Sequence, residues 1–369
     1  MIRIVHMADA HLDSKYEALT EAAALKRRQE NRENLQAVAD YANRIEADLL
    51  LVAGDLLESA DMAAETAEAI KKAFSSFKGK VLLIFGNHDY ALRQHPQLRF
   101  EDLPNVITFE KTSIQKVTFP EWNLTVYGAS FDSPYREEST LENFRVEDES
   151  KINIMLLHGE LRQGKGLYNP ITEKQIADTG LTYLALGHTH SFSGLLKSGR
   201  TSYAFPGCLS GRGFDETGTK GFLAGTISKD EAALEFVPID RPQYHDKEVD
   251  ITDFTYPMLI AKIRELAKNS ALAGGIVRLR LSGERVFETL DAQQLAADLG
   301  SLFYSLSIKD GSFPKRNLWA GLQKDTLEGV FLQKMRAAYD ATDSEEEKNT
   351  LLLAVRFGLS AMEGRDNPL

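Results

Sequence analysis

Five short segments, far apart in the chain, each bring residues able to hold a metal ion to the end of a hydrophobic run. They are Asp9-Ala10-His11, Gly54-Asp55, Gly86-Asn87-His88-Asp89, His158-Gly159 and Gly187-His188-Thr189-His190. Together they supply three aspartates, one asparagine and five of the 8 histidines in the chain. Carboxylate, amide and imidazole donors without a thiolate suit a divalent ion such as Mn²⁺, Fe²⁺ or Zn²⁺. Such a set exceeds the needs of one ion. It suffices for two, with a residue or two left for chemistry.

Each segment alone has a bland reading. Asp9 and His11 after a strand would lie on one side of an extended chain, because side chains alternate there, but Asp-x-His is a common tripeptide. Gly54-Asp55 is an ordinary turn. Asn87 could start an Asx turn with His88 on the surface, although the same stretch also offers an amide oxygen at Asn87 and sets the Asp89 carboxylate next to His88. His158 alone would be a core histidine. His188 and His190 again have alternation spacing. All five after strands, in one chain, make coincidence the weaker reading.

The elements that must position these residues can be read from the pattern. Strands are expected at Ile2–Met7, Asp48–Ala53 and Lys80–Phe85, with helices at Leu19–Ala47 and Met62–Phe77 between them. Such alternation implies parallel crossovers, and ligands then bind beyond the carboxyl ends of the strands. Further strands are expected at Asn105–Phe109, Leu124–Gly128, Ile152–His158 and Tyr183–Gly187. From Phe192 to Pro238 the pattern turns hairpin-like, with turns at Ser198-Gly199 and Thr217-Gly218, as a second sheet packed on the first would produce. The character shifts near Asp240-Arg241-Pro242. Strands at Glu248–Ile251 and Gly275–Leu281 and helices at Pro257–Lys268 and Ala292–Leu302 then suggest a small α+β domain. Two helices close the chain, with capping-box spacing at Asp325/Glu328 and Ser344/Glu347. Leu327, Val330, Phe331, Met335 and Ala338 form one apolar stripe, and Leu351, Leu352, Val355, Leu359 and Met362 another. These stripes pack on each other or the body, or else dock a partner.

Composition sets the class. With 369 residues and 43% hydrophobic side chains, about two domains and a substantial core are expected. No apolar run suffices to span a bilayer, and the start of the chain lacks the pattern of a signal peptide. One cysteine, Cys208, excludes an intramolecular disulfide framework and fits a cytoplasmic setting. The net charge of −11 argues against a passive nucleic-acid binder, less so for an enzyme whose bound metal ions supply positive charge. Basic clusters at Lys26/Arg27/Arg28/Arg32, Arg162/Lys165 and Lys197/Arg200 read as solvated faces.

The order Asp-x-His, Gly-Asp, Gly-Asn-His-Asp, His, Gly-His-x-His resembles the calcineurin-like metallophosphoesterase superfamily, over roughly the first 240 residues. Within it, residues 6–13, Phe205-Pro206-Gly207 and Gly211–Glu216 look most like the DNA-repair exonucleases, the SbcD-type nuclease subunits and their YhaO-like relatives. The resemblance implies a two-sheet α/β sandwich core over 1–240, a small α+β capping, DNA-selecting domain over 241–324, and a C-terminal helical hairpin over 325–369 that is a candidate for partner docking. It implies one ion on Asp9, His11 and His190, a second on Asn87, His158 and His188, and Asp55 bridging them. His88 would face the scissile phosphate instead of binding metal, with Asp89 orienting it.

The activity implied is a two-metal, Mn²⁺-activated DNA phosphodiesterase. It would be a 3′→5′ exonuclease, with single-strand endonuclease activity besides, in double-strand break repair. The enzyme would be a homodimer working with an SbcC-type coiled-coil ATPase of the SMC-like class. This chain has no Gly-Lys-Ser/Thr phosphate loop, so ATP hydrolysis would fall to that partner. The alternative is a phosphatase or phosphodiesterase acting on a small phosphoester or nucleotide. Glu58-Ser59-Ala60 stands where protein phosphatases of the superfamily carry Asp-Arg-Gly, which argues against that branch. A third reading, a scaffold that has lost its chemistry, conflicts with a complete donor set.

Overall fold

The computed structural model describes residues 1–364 except Ala60, Arg93, Gln94, Asp240 and Arg316. Ala60 of the Glu58-Ser59-Ala60 stretch, Asp240 at the change of character, and residues 365–369 of the terminal segment thus lie outside the described residues. The chain forms two compact units, one of Met1–His245 with Gly274–Ile276, the other of Asp246–Ala273 with Val277–Leu369.

In the first unit the elements are β1 (Ile2–Met7), α1 (Glu21–Arg44), β2 (Leu49–Ala53), α2 (Ala64–Ser76), β3 (Lys80–Ile84), β4 (Val106–Phe109), β5 (Gln115–Phe119), β6 (Leu124–Gly128), β7 (Ile152–His158), α3 (Glu173–Asp178), β8 (Tyr183–Gly187), β9 (Leu196–Ser198), β10 (Thr201–Ala204), β11 (Gly221–Ile227) and β12 (Ala232–Pro238). They build two six-stranded sheets, ordered β12-β11-β1-β2-β3-β4 and β5-β6-β7-β8-β10-β9. The expected two-sheet α/β sandwich is the fold observed. The hairpin-rich stretch divides between the sheets: β9 and β10 extend the second, and β11 and β12 the first.

Three apolar layers explain the strand sequences. Ile4, Leu51 and Leu82 of the first sheet face Val126, Ile154 and Ala185 of the second. The other face of the first sheet, with Val5, Leu50 and Leu83, packs on Leu35 and Val38 of α1 and Ile70 and Phe74 of α2. The outer face of the second sheet meets Ile176 of α3. Strands covered on both sides read as unbroken apolar runs, as Leu-Leu-Leu-Val-Ala of β2 does.

Parallel registry aligns the strand ends. Met7 pairs with Val52 and Val52 with Leu83, so the loops after β1, β2 and β3 leave side by side. In the second sheet His158 pairs with Gly187. Helix α1 fixes two of the loops from below. Asn31 Nδ2, buried, donates to the Ala10 carbonyl at 2.7 Å, and Asn34 Nδ2 donates to the Leu209 carbonyl at 3.3 Å. Arg27, expected on a solvated face, is instead 1% exposed and bonds Glu30 and Ser210.

The second unit begins with β13 (Tyr244–Asp250), shared at its start with the first, and continues through α4 (Tyr256–Leu266), α5 (Ser270–Ala273), β14 (Ile276–Ser282), β15 (Glu284–Arg285), α6 (Ala292–Leu299), β16 (Ser305–Asp310), β17 (Phe313–Pro314), α7 (Leu327–Ala341) and α8 (Glu345–Met362). A three-stranded β13-β14-β16 sheet carries a core with Leu259, Ile263, Leu279 and Leu295. Phe331 and Met335 of α7 pack with Leu352, Val355 and Leu359 of α8, so much of each apolar stripe is spent on the other. Ser344 caps α8 as expected, but α7 is capped by Thr326, whose hydroxyl accepts from Gly329 N, one residue after Asp325. Among the described residues no helix is long and apolar enough to cross a membrane.

Asn31→Ala removes the donor to a carbonyl that has little access to water. We expect a loss of about 1–3 kcal/mol in stability, read from urea unfolding. A midpoint equal to that of the unaltered protein would show that Asn31 does not anchor the loop.

Candidate metal centre

The backbone presents the donors differently from what alternation predicts. Asp9 (φ 50°), His11 (φ 43°) and Asp55 (φ 51°) are left-handed, and His188 lies at φ 104°. Residues 9 and 11, and the residues at 188–190, therefore converge through tight turns and not as the same-side positions of an extended strand. Non-glycine residues avoid this region unless the surroundings impose it. Here the loops are zipped together: Asp9 N donates to Gly54 O at 3.1 Å, His11 N to Asp55 O at 3.0 Å and Leu12 N to Leu56 O at 3.0 Å. Gly86 permits a close approach, since a Cβ there would sit 2.1 Å from Asp55 Oδ1. Gly54 combines φ +87° with a virtual Cβ 2.7 Å from His158 Nδ1.

One donor cluster is Asp9, His11 and His190. His190 Nδ1 lies 2.8 Å from Glu216 Oε1 and 3.0 Å from Arg212 Nη2; with the ring proton on Nδ1 toward the nearer carboxylate, Nε2 keeps a lone pair. His11 Nδ1 lies 3.3 Å from Glu58 Oε2, an ion-pair distance without a hydrogen bond. The two Nε2 atoms then face each other at 3.1 Å, with Asp9 Oδ1 at 3.9 Å from His11 Nε2 and 3.7 Å from His190 Nε2. Two imidazole nitrogens and a carboxylate that converge in this way suit a cation between them.

The second cluster is built on His158. Its Nδ1 donates to the Ala53 carbonyl at 3.0 Å, so Nε2 faces Asn87 Oδ1 at 3.1 Å and Asp55 Oδ2 at 3.2 Å. Burial alone would push the His158 imidazolium down, but the Asp55 carboxylate outweighs it and raises the pKa to about 9. A proton is thus demanded where these acceptors converge, which is the condition that a divalent ion also satisfies. Burial would raise Asp55, yet the charge of His158 beside it holds the carboxyl far below its usual range. Asp9 moves the other way, raised by its burial. The His188 ring lies 5.3 Å from that of His158 and 4.8 Å from that of Tyr168. Burial, and next the charge of His158, lower His188 to about 4, which keeps its imidazole neutral and able to donate a lone pair. Its amide donates to Asp9 Oδ1 and Oδ2, each at 3.0 Å.

Asp55 Oδ2 is 3.7 Å from His11 Nε2 as well as 3.2 Å from His158 Nε2, so one carboxylate reaches both clusters. The donor set would fit two divalent ions, and Asp55 is placed where it could serve both.

His88 and Asp89 do not act on each other as expected. Asp89 is buried and spends Oδ1 on the Gly86 amide at 2.6 Å and Oδ2 on the Leu56 amide at 2.7 Å. It staples the loops after β2 and β3. Burial, then the charge of Asp55, raise its pKa to about 7. The orienting partner of His88 is the Glu58 main-chain carbonyl, 3.0 Å from Nδ1. The His88 ring centroid is 4.9 Å from that of His11, and its side chain is 38% exposed.

Glu58, Arg212 and Glu216 carried no expected role in the site. Arg212 donates to Glu58 Oε2 at 2.8 Å and, through Nε and Nη2, to Glu216 Oε1 at 3.0 and 2.7 Å. Burial opposes ionisation of Glu58, but His11 and Arg212 hold its pKa at about 2. Glu216 is likewise held low against burial by His190 and Arg212. The available signal was the Gly211–Glu216 stretch, noted for resemblance alone.

The calcineurin-like phosphoesterase family model matches residues 2–192. The chain belongs to the calcineurin-like phosphoesterase family. Its similar relatives include the uncharacterized metallophosphoesterase YhaO of Bacillus subtilis, 26% identical over 263 residues, which are 68% of this chain and 64% of that protein. The uncharacterized protein YpbG of the same organism is 31% identical over 144 residues, 38% of this chain and 50% of YpbG. The chain thus spans less than two thirds of the length of either relative. Similar solved structures include TT1561 of Thermus thermophilus (14% identity, TM-score 0.36, covering 60% of this chain and 94% of that one). Another is a dimetal phosphatase from Danio rerio (10% identity, TM-score 0.37, covering 63% and 98%).

Asp55→Ala removes a carboxylate that reaches both clusters. We expect the purified variant to lose both metal equivalents while staying folded. Two equivalents retained in metal analysis would show that Asp55 does not bridge.

Proposed function

We propose that this phosphoesterase is a two-metal phosphodiesterase acting on DNA: a 3′→5′ exonuclease that also cuts single strands internally, in double-strand break repair. The observation that carries the hydrolytic part is the pair of lone-pair clusters sharing Asp55, with a half-exposed imidazole beside them. Two divalent ions at such a site neutralise phosphate oxygens and acidify water. The protein's own part is to hold the donors fixed and to manage the proton at the leaving oxygen. His88 Nδ1 faces a carbonyl acceptor at 3.0 Å, so Nδ1–H is spent there. Nε2 is then the atom that carries a second proton toward a leaving oxygen when the ring is charged.

DNA as substrate is supported by the Gly211–Glu216 stretch. It resembles that of the SbcD-type DNA-repair nucleases, and its Arg212 and Glu216 touch the metal centre. Mn²⁺ as the activating ion, a homodimer, a cytoplasmic location and an SbcC-type ATPase partner belong to the same reading. Support for docking of the ATPase on α7 and α8 comes from Leu327, Val330 and Phe357, which stay 75%, 48% and 53% exposed after the helices pack together.

The test is end-labelled duplex and hairpin DNA with Mn²⁺, beside bis-p-nitrophenyl phosphate. Stepwise shortening from the 3′ end is expected. Hydrolysis of the small ester with no cleavage of DNA would refute the substrate. In the same assays His88→Gln should lose about 10²–10⁴-fold in rate and keep both metal equivalents. Full activity in the metal-loaded variant would remove His88 from the chemistry.

A further inference from the structure

The two clusters differ in what stands behind their imidazoles. His158 Nδ1 rests on a neutral main-chain carbonyl, that of Ala53. His190 Nδ1 has the Glu216 carboxylate at 2.8 Å, with Arg212 Nη2 at 3.0 Å, and His11 Nδ1 has the Glu58 carboxylate at 3.3 Å. The two carboxylates come from separate loops and are tied by one guanidinium. Arg212 reaches Glu58 Oε2 at 2.8 Å and Glu216 Oε1 at 2.7 Å, while its own amide donates to Glu216 Oε2 at 2.9 Å. Ser14 Oγ donates to Glu58 Oε2 at 2.8 Å, and the Tyr244 hydroxyl donates to the Arg212 carbonyl at 3.2 Å. A carboxylate on the far nitrogen of a ligating imidazole fixes the ring and makes the near nitrogen a stronger donor. A neutral carbonyl fixes the ring with less added charge.

We propose that Glu58, Arg212 and Glu216 are positioning residues that set the affinity of one metal position, that of Asp9, His11 and His190, and leave the other unaffected. The proposal rests on the two-metal reading above. It gives the centre one firmly held ion and one more readily exchanged. It also gives Arg212 a task that a lysine meets only in part. The guanidinium fork serves two carboxylates at once, whereas an ammonium is a point charge.

The experiment is calorimetric titration of the metal-free full chain with Mn²⁺, paired with thermal melting of the metal-free proteins. The unaltered chain is expected to bind two equivalents. Glu216→Gln, nearly isosteric, should weaken one equivalent by about 10–100-fold and leave the other unchanged, with the metal-free melting point retained. Arg212→Ala should do the same, and Arg212→Lys should recover part of the loss. Variants that bind both ions as the unaltered chain does, or that lose affinity equally at both, would overturn the proposal. Should Arg212→Ala fail to fold, Glu216→Gln alone decides. An unaltered chain that binds a single ion would refute the two-metal reading. The proposal would then stand if Glu216→Gln weakens that ion and fall if it does not.

Discussion

The structure depends on acceptors crowded around a centre that calls for positive charge between them. Two imidazole Nε2 atoms stand 3.1 Å apart, and a third faces an amide oxygen at 3.1 Å and a carboxylate at 3.2 Å. Acceptors taken from water in this arrangement gain from each other only through a proton or a cation set between them. A cation turns the cost into cohesion, but only where the donors already stand. The first unit therefore places them on the least mobile parts of its frame, the carboxyl ends of parallel strands covered on both faces. A small rotation of any one loop would separate the lone pairs and spoil the fit.

That rigidity is built from polar contacts beneath the loops. Asp89 ties the loop after β2 to the loop after β3 by accepting from one amide of each. Asn31 and Asn34 rise from α1 to carbonyls of the first and last loops of the centre. Arg27 adds a contact to Ser210 from the same helix. A helix face that presents Arg, Glu and Asn to the interior is costly unless each group finds a partner. Here the partners are loop atoms, so the face that would have been only core becomes a support for the site.

Much of this was legible, and the illegible part has a physical cause. The strands were visible because strands covered on both faces read as apolar runs, and their parallel order follows from the helices between them. Convergence of Asp9, Asp55 and Asn87 followed from where parallel strands end. The backbone at Asp9, His11 and Asp55 was not legible, because left-handed conformation in aspartate and histidine is imposed by neighbouring loops and not by local propensity. Adjacency in sequence misled for Asp89, whose carboxylate is consumed by two amides before it can serve His88. Glu58, Arg212 and Glu216 escaped because their contact joins positions 58 and 212, and charge pairs between distant loops leave no periodic trace. Arg27 was misjudged for the same reason, since its partner Ser210 lies 183 residues away.

Charge adds a final constraint on what the centre can accept. Asp9, Asp55, Asp89, Glu58 and Glu216 surround it, and Arg212 is the guanidinium tied into the network. The whole chain carries −11. In that field a phosphodiester is repelled, and the repulsion is strongest where water is least able to screen it. Two divalent cations would offset the formal excess of carboxylates over the one guanidinium, so the same groups that hold the metal would make phosphate binding conditional on it. On the proposed reading, the attraction for a phosphodiester would be concentrated at the atoms to be cleaved. Aromatic rings also stand beside the centre: Tyr168 lies 4.8 Å from His188, and Tyr135 lies 5.9 Å from Tyr168.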